Sequence, residues 1–177
     1  MFYKLLSKLL DYPSEALVTA MPELYGTLKQ GFEAAEWVVL ERFMRNLSDQ
    51  DLTDAQADYV QTFDMVPEHA LHLTHHIFGD DKNRGPALID LTEYYKEFGL
   101  EMSANEGKPN ELPDYLPLIL EFAAQLEPEE ARMFLSQWSK VLNQLATNLE
   151  KTASHYAPLI RLVEQRSLLA QPVAVAA

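Results

Sequence analysis

Apolar residues recur three and four positions apart along nearly the whole chain, the period of an amphipathic helix rather than of a strand. In the opening stretch Phe2, Leu5, Leu6 and Leu9 share one face. Pro13 and Pro22 are each placed to open a short helix, because a proline's missing N–H is no loss in a first turn. The spacing predicts a helix over residues 33–47, with Trp37, Leu40, Phe43, Met44 and Leu47 inward. "SDQD" at 48–51 reads as a turn. Thr53 and Gln56 stand at capping-box spacing and start a helix carrying Tyr59, Val60 and Phe63.

Pro67, Gly79 and Gly85 punctuate the next region, where a short helix is expected over 69–76 and a polar loop, "GDDKNRGP", over 79–86. Pro86 suits the first turn of a helix with Leu88, Leu91, Tyr95 and Phe98 on one face, which Gly99 is placed to end. Residues 101–113 read as a loop. From 114 to 126 the sequence is apolar on nearly all sides, the mark of a centrally buried helix. Pro128 opens the most regular pattern, over 129–152, with Ala131, Phe134, Leu135, Trp138, Leu142, Leu145 and Leu149 inward, and a last helix follows near 155–166. No strand alternation and no internal repeat stands out. The expectation is an all-α, single-domain helical bundle of about seven to nine helices over residues 1–166, followed by a poorly ordered tail over 167–177.

Composition narrows the function. With 47% hydrophobic residues, the 177-residue chain can bury one core. A formal net charge of −13 repels phosphate backbones, so nucleic acid is not an expected partner, while basic peptides are attracted. The chain has no cysteine, which removes disulfides, thiolate nucleophiles and cysteine-held metals. No signal segment and no apolar run of about 20 residues is visible, so a cytoplasmic protein without direct membrane insertion is expected.

Candidate chemistry is sparse. His69, His72 and His76 are spaced to stack on one side of a helix and to offer imidazoles to zinc, copper or nickel. A metal-binding enzyme built on them is the alternative of another class. The glutamate of a zincin motif is missing, however, and histidines bonded at a helix-to-loop junction are the plainer reading. The 79–86 loop fits neither a calcium loop nor a phosphate-binding loop. Its plainer reading has Asp80 capping a turn and Arg84 pairing with a carboxylate. No nucleophile elbow is present. No catalytic residue, metal or cofactor is expected. Tyr59, Phe63, Met65, Leu71 and Leu73, with Tyr115, Leu116 and Leu118, line either a groove for an amphipathic client helix or plain core.

Three blocks then carry a resemblance: "YVQTFD" at 59–64, "LHLTHHIFGDDKNRGPALIDL" at 71–91 and "ELPDYLPLILEF" at 111–122. In this order and spacing they resemble the nitrate reductase molybdenum cofactor assembly chaperones, the so-called delta subunits, within the redox-enzyme maturation chaperones. The likeness runs from residue 1 to about 166. It implies an all-helical, non-enzymatic protein that binds the catalytic (alpha) subunit of respiratory nitrate reductase, notably its N-terminal peptide. The chaperone would support molybdenum cofactor insertion and delay membrane docking. A sibling serving a dimethyl sulfoxide or trimethylamine oxide reductase is the alternative. The resemblance assigns Tyr59, Phe63 and Asp64 to client binding. It assigns His72, Gly79, Asp80, Arg84 and Gly85, with His76 in the same block, to a signature loop and its flank. Asp114, Tyr115, Leu116 and Pro117 would shape a helix start. A C-terminal acidic extension, if used by relatives, is not visible here.

Overall fold

Leu5, Leu6, Leu9 and Leu10 are almost fully buried, and this stripe lays the first helix, α1 (Phe2–Leu9), against α7 (Leu116–Ala123). The computed structural model describes residues 1–28, 32–100 and 111–168, all of the latter part of the chain's helical pattern included. Between α1 and α7 lie α2 (Glu15–Leu28), α3 (Ala34–Asp49), α4 (Leu52–Tyr59), α5 (Leu73–Phe78) and α6 (Arg84–Glu97). After α7 come α8 (Pro128–Ser136), α9 (Ser139–Lys151) and α10 (Ala157–Ser167). The all-helical single bundle is thus as expected, with ten α-helices among the described residues.

The count exceeds nine because the 129–152 pattern is two helices. The backbone tightens at Gln137 and Trp138, where N–H groups donate to Phe134 and Leu135 three residues back, and α9 restarts from Trp138. The apolar face continues unbroken across the step, since Ala131, Phe134, Leu135, Trp138, Leu142, Leu145 and Leu149 are all buried. Pattern alone does not register a change of backbone pitch.

Other boundaries move for local reasons. Pro22 does not open a helix but sits exposed inside α2, where buried Met21 and the packed Leu17, Val18 and Leu24 keep one face on the core across it. The five inward residues of α3 are those expected, and its start is held by a reciprocal Glu33–Glu36 capping box. A second such box, Glu127–Glu130, opens α8. The cap of α4 is Asp51, whose carboxylate accepts from the Thr53 N–H at 2.9 Å; the Thr53–Gln56 box is not formed. The 48–51 turn shrinks because α3 runs through Asp49.

Two helices end in the same way. Gly99 (φ +74°) closes α6, with Gly99 N–H bonded to Lys96 O and Leu100 N–H to Tyr95 O. Ala153 (φ +54°) closes α9 by the matching pair, Ala153 to Glu150 and Ser154 to Leu149. Both are Schellman ends, and the second places a side chain where glycine is favoured. The C-terminal helix α10 packs on α9, α8 and α3 and supplies Leu159, Ile160, Leu162 and Val163 to the core. No helix among the described residues is long and apolar enough to cross a membrane. The loop expected over 101–113 lies outside the described residues up to 110, as does the tail beyond 168.

Candidate functional site

The three sequence blocks meet at Asp114. The chain enters α5 in extended form, and His72 pairs antiparallel with Tyr115. Leu73 N–H donates to Asp114 O at 3.0 Å and Leu116 N–H to Leu71 O at 2.9 Å. This short clasp turns the Asp114 side chain inward, where it is fully buried. One carboxylate oxygen accepts from His72 Nδ1 at 3.2 Å. The other accepts from Thr74 N–H at 3.1 Å, from the Thr74 hydroxyl, and from Arg84 Nη2 at 3.5 Å. Arg84 Nε also donates to Thr74 Oγ1 at 3.0 Å, so the hydroxyl relays between cation and anion.

Burial opposes the charge on Asp114, but the bonds from His72 and Thr74 outweigh it and hold its pKa below the ordinary carboxylate value. An ionised Asp114 only accepts, so Nδ1 of His72 carries the proton. On the side toward α1, the Tyr115 hydroxyl lies 2.7 Å from that of Tyr59 and donates to Asp11 Oδ1 at 3.1 Å, while Tyr59 reaches Leu10 O at 3.1 Å. Burial drives both phenol pKa values well up, so both stay neutral. The arrangement joins α1, α4, α5, α6 and α7. It holds a charge in place, and the Thr74 hydroxyl beside that charge is buried and engaged by both Asp114 and Arg84.

Among the residues singled out from sequence, His72, Arg84, Asp114 and Tyr115 come together directly, and Tyr59 through the phenol pair. Leu71, Leu116 and Pro117 are buried behind them, with Pro117 in the first turn of α7. Gly79 is required by its backbone, φ +55° and ψ −128°, a region open in practice to glycine alone. Gly85 has no such need: it lies in the first turn of α6 with open space around it. Arg84 and Gly85 belong to α6, so the polar loop is shorter than 79–86. Asp80 is exposed and caps nothing; Asp81 does so instead, accepting from Asn83 N–H at 2.8 Å. Asp64 is exposed at the end of a π-turn, Val60–Asp64, that follows α4.

The stacked histidines do not form. A 3₁₀ turn, Pro67–His69, and an extended link separate His69 from α5. His69 Nδ1 faces Thr62 O at 3.0 Å, His72 faces Asp114, and His76 Nε2 faces Ala70 O at 2.7 Å. Each imidazole has its own partner, and among the described residues no cluster of three histidines or carboxylates could hold a metal. Of the residues offered as either groove or core, Tyr59, Phe63, Leu71, Leu73 and Leu116 are core, all at most 4% exposed, with the Phe63 ring packed on Tyr59 and Tyr156; Tyr115 and Leu118 are partly buried against it, and Met65 is exposed. Thr74 and Asp11 were not foreseen. Thr74 stands inside a quoted block, where a threonine among apolar residues was the available signal; Asp11, 104 residues from Tyr115, gave none.

A cleft of about 340 Å³ opens beside this hub, between α5, α6 and α8, with Thr74 at its inner end. Trp138 lies at its α8–α9 end, and the indole Nε1 is buried without a partner, a cost of about 1–3 kcal/mol.

The family model described as "Nitrate reductase delta subunit" matches residues 26–161. The chain belongs to the nitrate reductase delta subunit family. Its relatives in this family include the nitrate reductase molybdenum cofactor assembly chaperone NarJ of Escherichia coli (strain K12), 34% identical over 161 residues that cover 90% of this chain and 66% of that protein. The Bacillus subtilis (strain 168) protein named "Probable nitrate reductase molybdenum cofactor assembly chaperone NarJ" is 30% identical over 161 residues, 91% of this chain and 85% of its own. The chain therefore spans just under two thirds of the Escherichia coli delta-family protein. A crystal structure described as "a putative redox enzyme maturation protein" from Archaeoglobus fulgidus shares the fold, with a TM-score of 0.58 and 22% identity, over 92% of this chain and 90% of that one.

Proposed function

We propose that this protein is a dedicated chaperone that binds the catalytic subunit of respiratory nitrate reductase, notably its N-terminal region. It supports molybdenum cofactor insertion and delays docking to the membrane subunit until assembly is complete, acting in the cytoplasm. The observation that carries this reading is the family match over residues 26–161, whose three sequence blocks are drawn into one hub. Two relatives, at 34% and 30% identity, carry the names of nitrate reductase assembly chaperones, the second as "Probable", which favours that client over a dimethyl sulfoxide or trimethylamine oxide reductase.

The physical basis is recognition, not bond-making. A surface of net charge −13 attracts basic client segments and accelerates encounter. Calorimetry with a peptide of the client's N-terminal segment is expected to give micromolar affinity or tighter, about −8 kcal/mol. Added salt should slow association more than it speeds dissociation. Absence of binding to both that peptide and the intact catalytic subunit, tested by co-purification, overturns the proposal.

A further inference from the structure

The cleft between α5, α6 and α8 has chemistry that the hub does not use. Its walls are apolar: Phe78 and Leu91 line it, and Tyr94 of α6 stacks on Phe134 of α8 with ring planes 7° apart at 5.6 Å, which fixes the two helices relative to each other. At its mouth Ile77 stands 53% exposed, although it shares α5 with fully buried Leu73. Ile77 thus extends the apolar lining to the surface, where a guest would cover it. The volume, about 340 Å³, falls in the range of ligand clefts, about 300–1,000 Å³.

Charge says what enters. Among the residues that line the cleft, Asp90 alone is charged; it is exposed and forms no ion pair among the described residues. The nearby cation, Arg84, is already turned to Asp114. The lining therefore carries one unbalanced negative charge, in a protein of net charge −13.

We propose that this cleft seats a peptide segment that inserts a large apolar side chain against Ile77, Phe78 and Leu91 and sets a lysine or arginine against Asp90. This rests on the client-binding reading and deepens it: the guest is an apolar-and-basic segment of the client, and its seat is not the Tyr59–Phe63 region named from sequence. Rigid walls from the Tyr94–Phe134 stack make the seat largely pre-formed, and Thr74 at its inner end gives the Asp114 hub a task, to hold α5 and α6 at the spacing the guest needs.

The test uses the full chain and a labelled peptide of the N-terminal segment of the nitrate reductase catalytic subunit. Ile77→Asp, a surface change confirmed as folded by circular dichroism, is expected to weaken binding about tenfold or more. Asp90→Lys should weaken it about threefold to tenfold at low salt, and should bind a peptide whose lysines and arginines are replaced by glutamate better than the unaltered chain does. Val38→Asp, at a still more exposed apolar position on α3 that lines a different groove, should leave affinity unchanged. In a Trp37→Phe background Trp138 is the remaining indole, and its emission should shift as the peptide saturates. Normal peptide binding by Ile77→Asp and Asp90→Lys, with Trp138 emission unmoved, overturns the seat and leaves the client reading intact. Failure of the unaltered chain to bind the peptide or the intact subunit overturns both.

Discussion

Replacing Asp114 with asparagine tests the physical account of the hub most directly. The side chain is fully buried and accepts from His72, from the Thr74 N–H and hydroxyl, and from Arg84. Asparagine is nearly the same shape but keeps one acceptor atom, and its NH₂ must face donors wherever it points. At least one buried donor is then left without a partner, at about 1–3 kcal/mol, and Arg84 loses its counter-charge. Breaking a buried pair costs about 3–5 kcal/mol. Arg84 is 24% exposed, so water compensates part of its loss and the lower end applies, about 3 kcal/mol. In a domain of this size that lowers Tm by about 6–12 °C. Urea unfolding followed by tryptophan emission and far-ultraviolet circular dichroism measures it. The pH dependence supplies a second check. The folded pKa of Asp114 is depressed, so its stabilisation is present above the ordinary carboxylate pKa and is lost as pH falls through the folded value. The gap between native and Asp114→Asn proteins should therefore close on acidification. A loss below about 1 kcal/mol at neutral pH, or a gap that stays constant into acid, refutes the reasoning.

Two other outcomes follow from the geometry. Ala153→Gly relieves a left-handed residue at the end of α9 and should stabilise by about 1 kcal/mol, seen as a rise in Tm of about 2–4 °C; destabilisation would show that the alanine methyl is packed. Burial lowers the pKa of His76 despite the Ala70 carbonyl, so the neutral ring contributes stability above the ordinary histidine pKa that is lost as pH falls toward the folded value; an NMR titration that finds His76 protonating at or above the free value contradicts this.

How much of this could be read from the chain varies with the kind of interaction. Helical period found α3 with its five buried residues and the apolar α7, because burial imposes a regular spacing. Gly99 was legible because a Schellman end requires a left-handed residue; Ala153 makes the same end and left no mark. The join at Gln137 and Trp138 was hidden because the buried face runs on through a shift in backbone pitch. At the site, Arg84 was foreseen to need a carboxylate, but which one depends on a pairing 30 residues away. The choice between groove and core at Tyr59, Phe63 and Leu71 stayed open for a simple reason: lining and core have the same pattern, and only packing separates them.

The His72–Tyr115 pairing also makes the stretch from 73 to 114 a ring with a narrow neck. Closing a ring of some 40 residues costs about 3 kcal/mol in chain entropy, comparable with the contribution of the Asp114 contacts at the neck. Tyr94 and Tyr95 also hold α6 to Phe134 and Phe122, so the neck and this aromatic packing must give way together before α6 can leave.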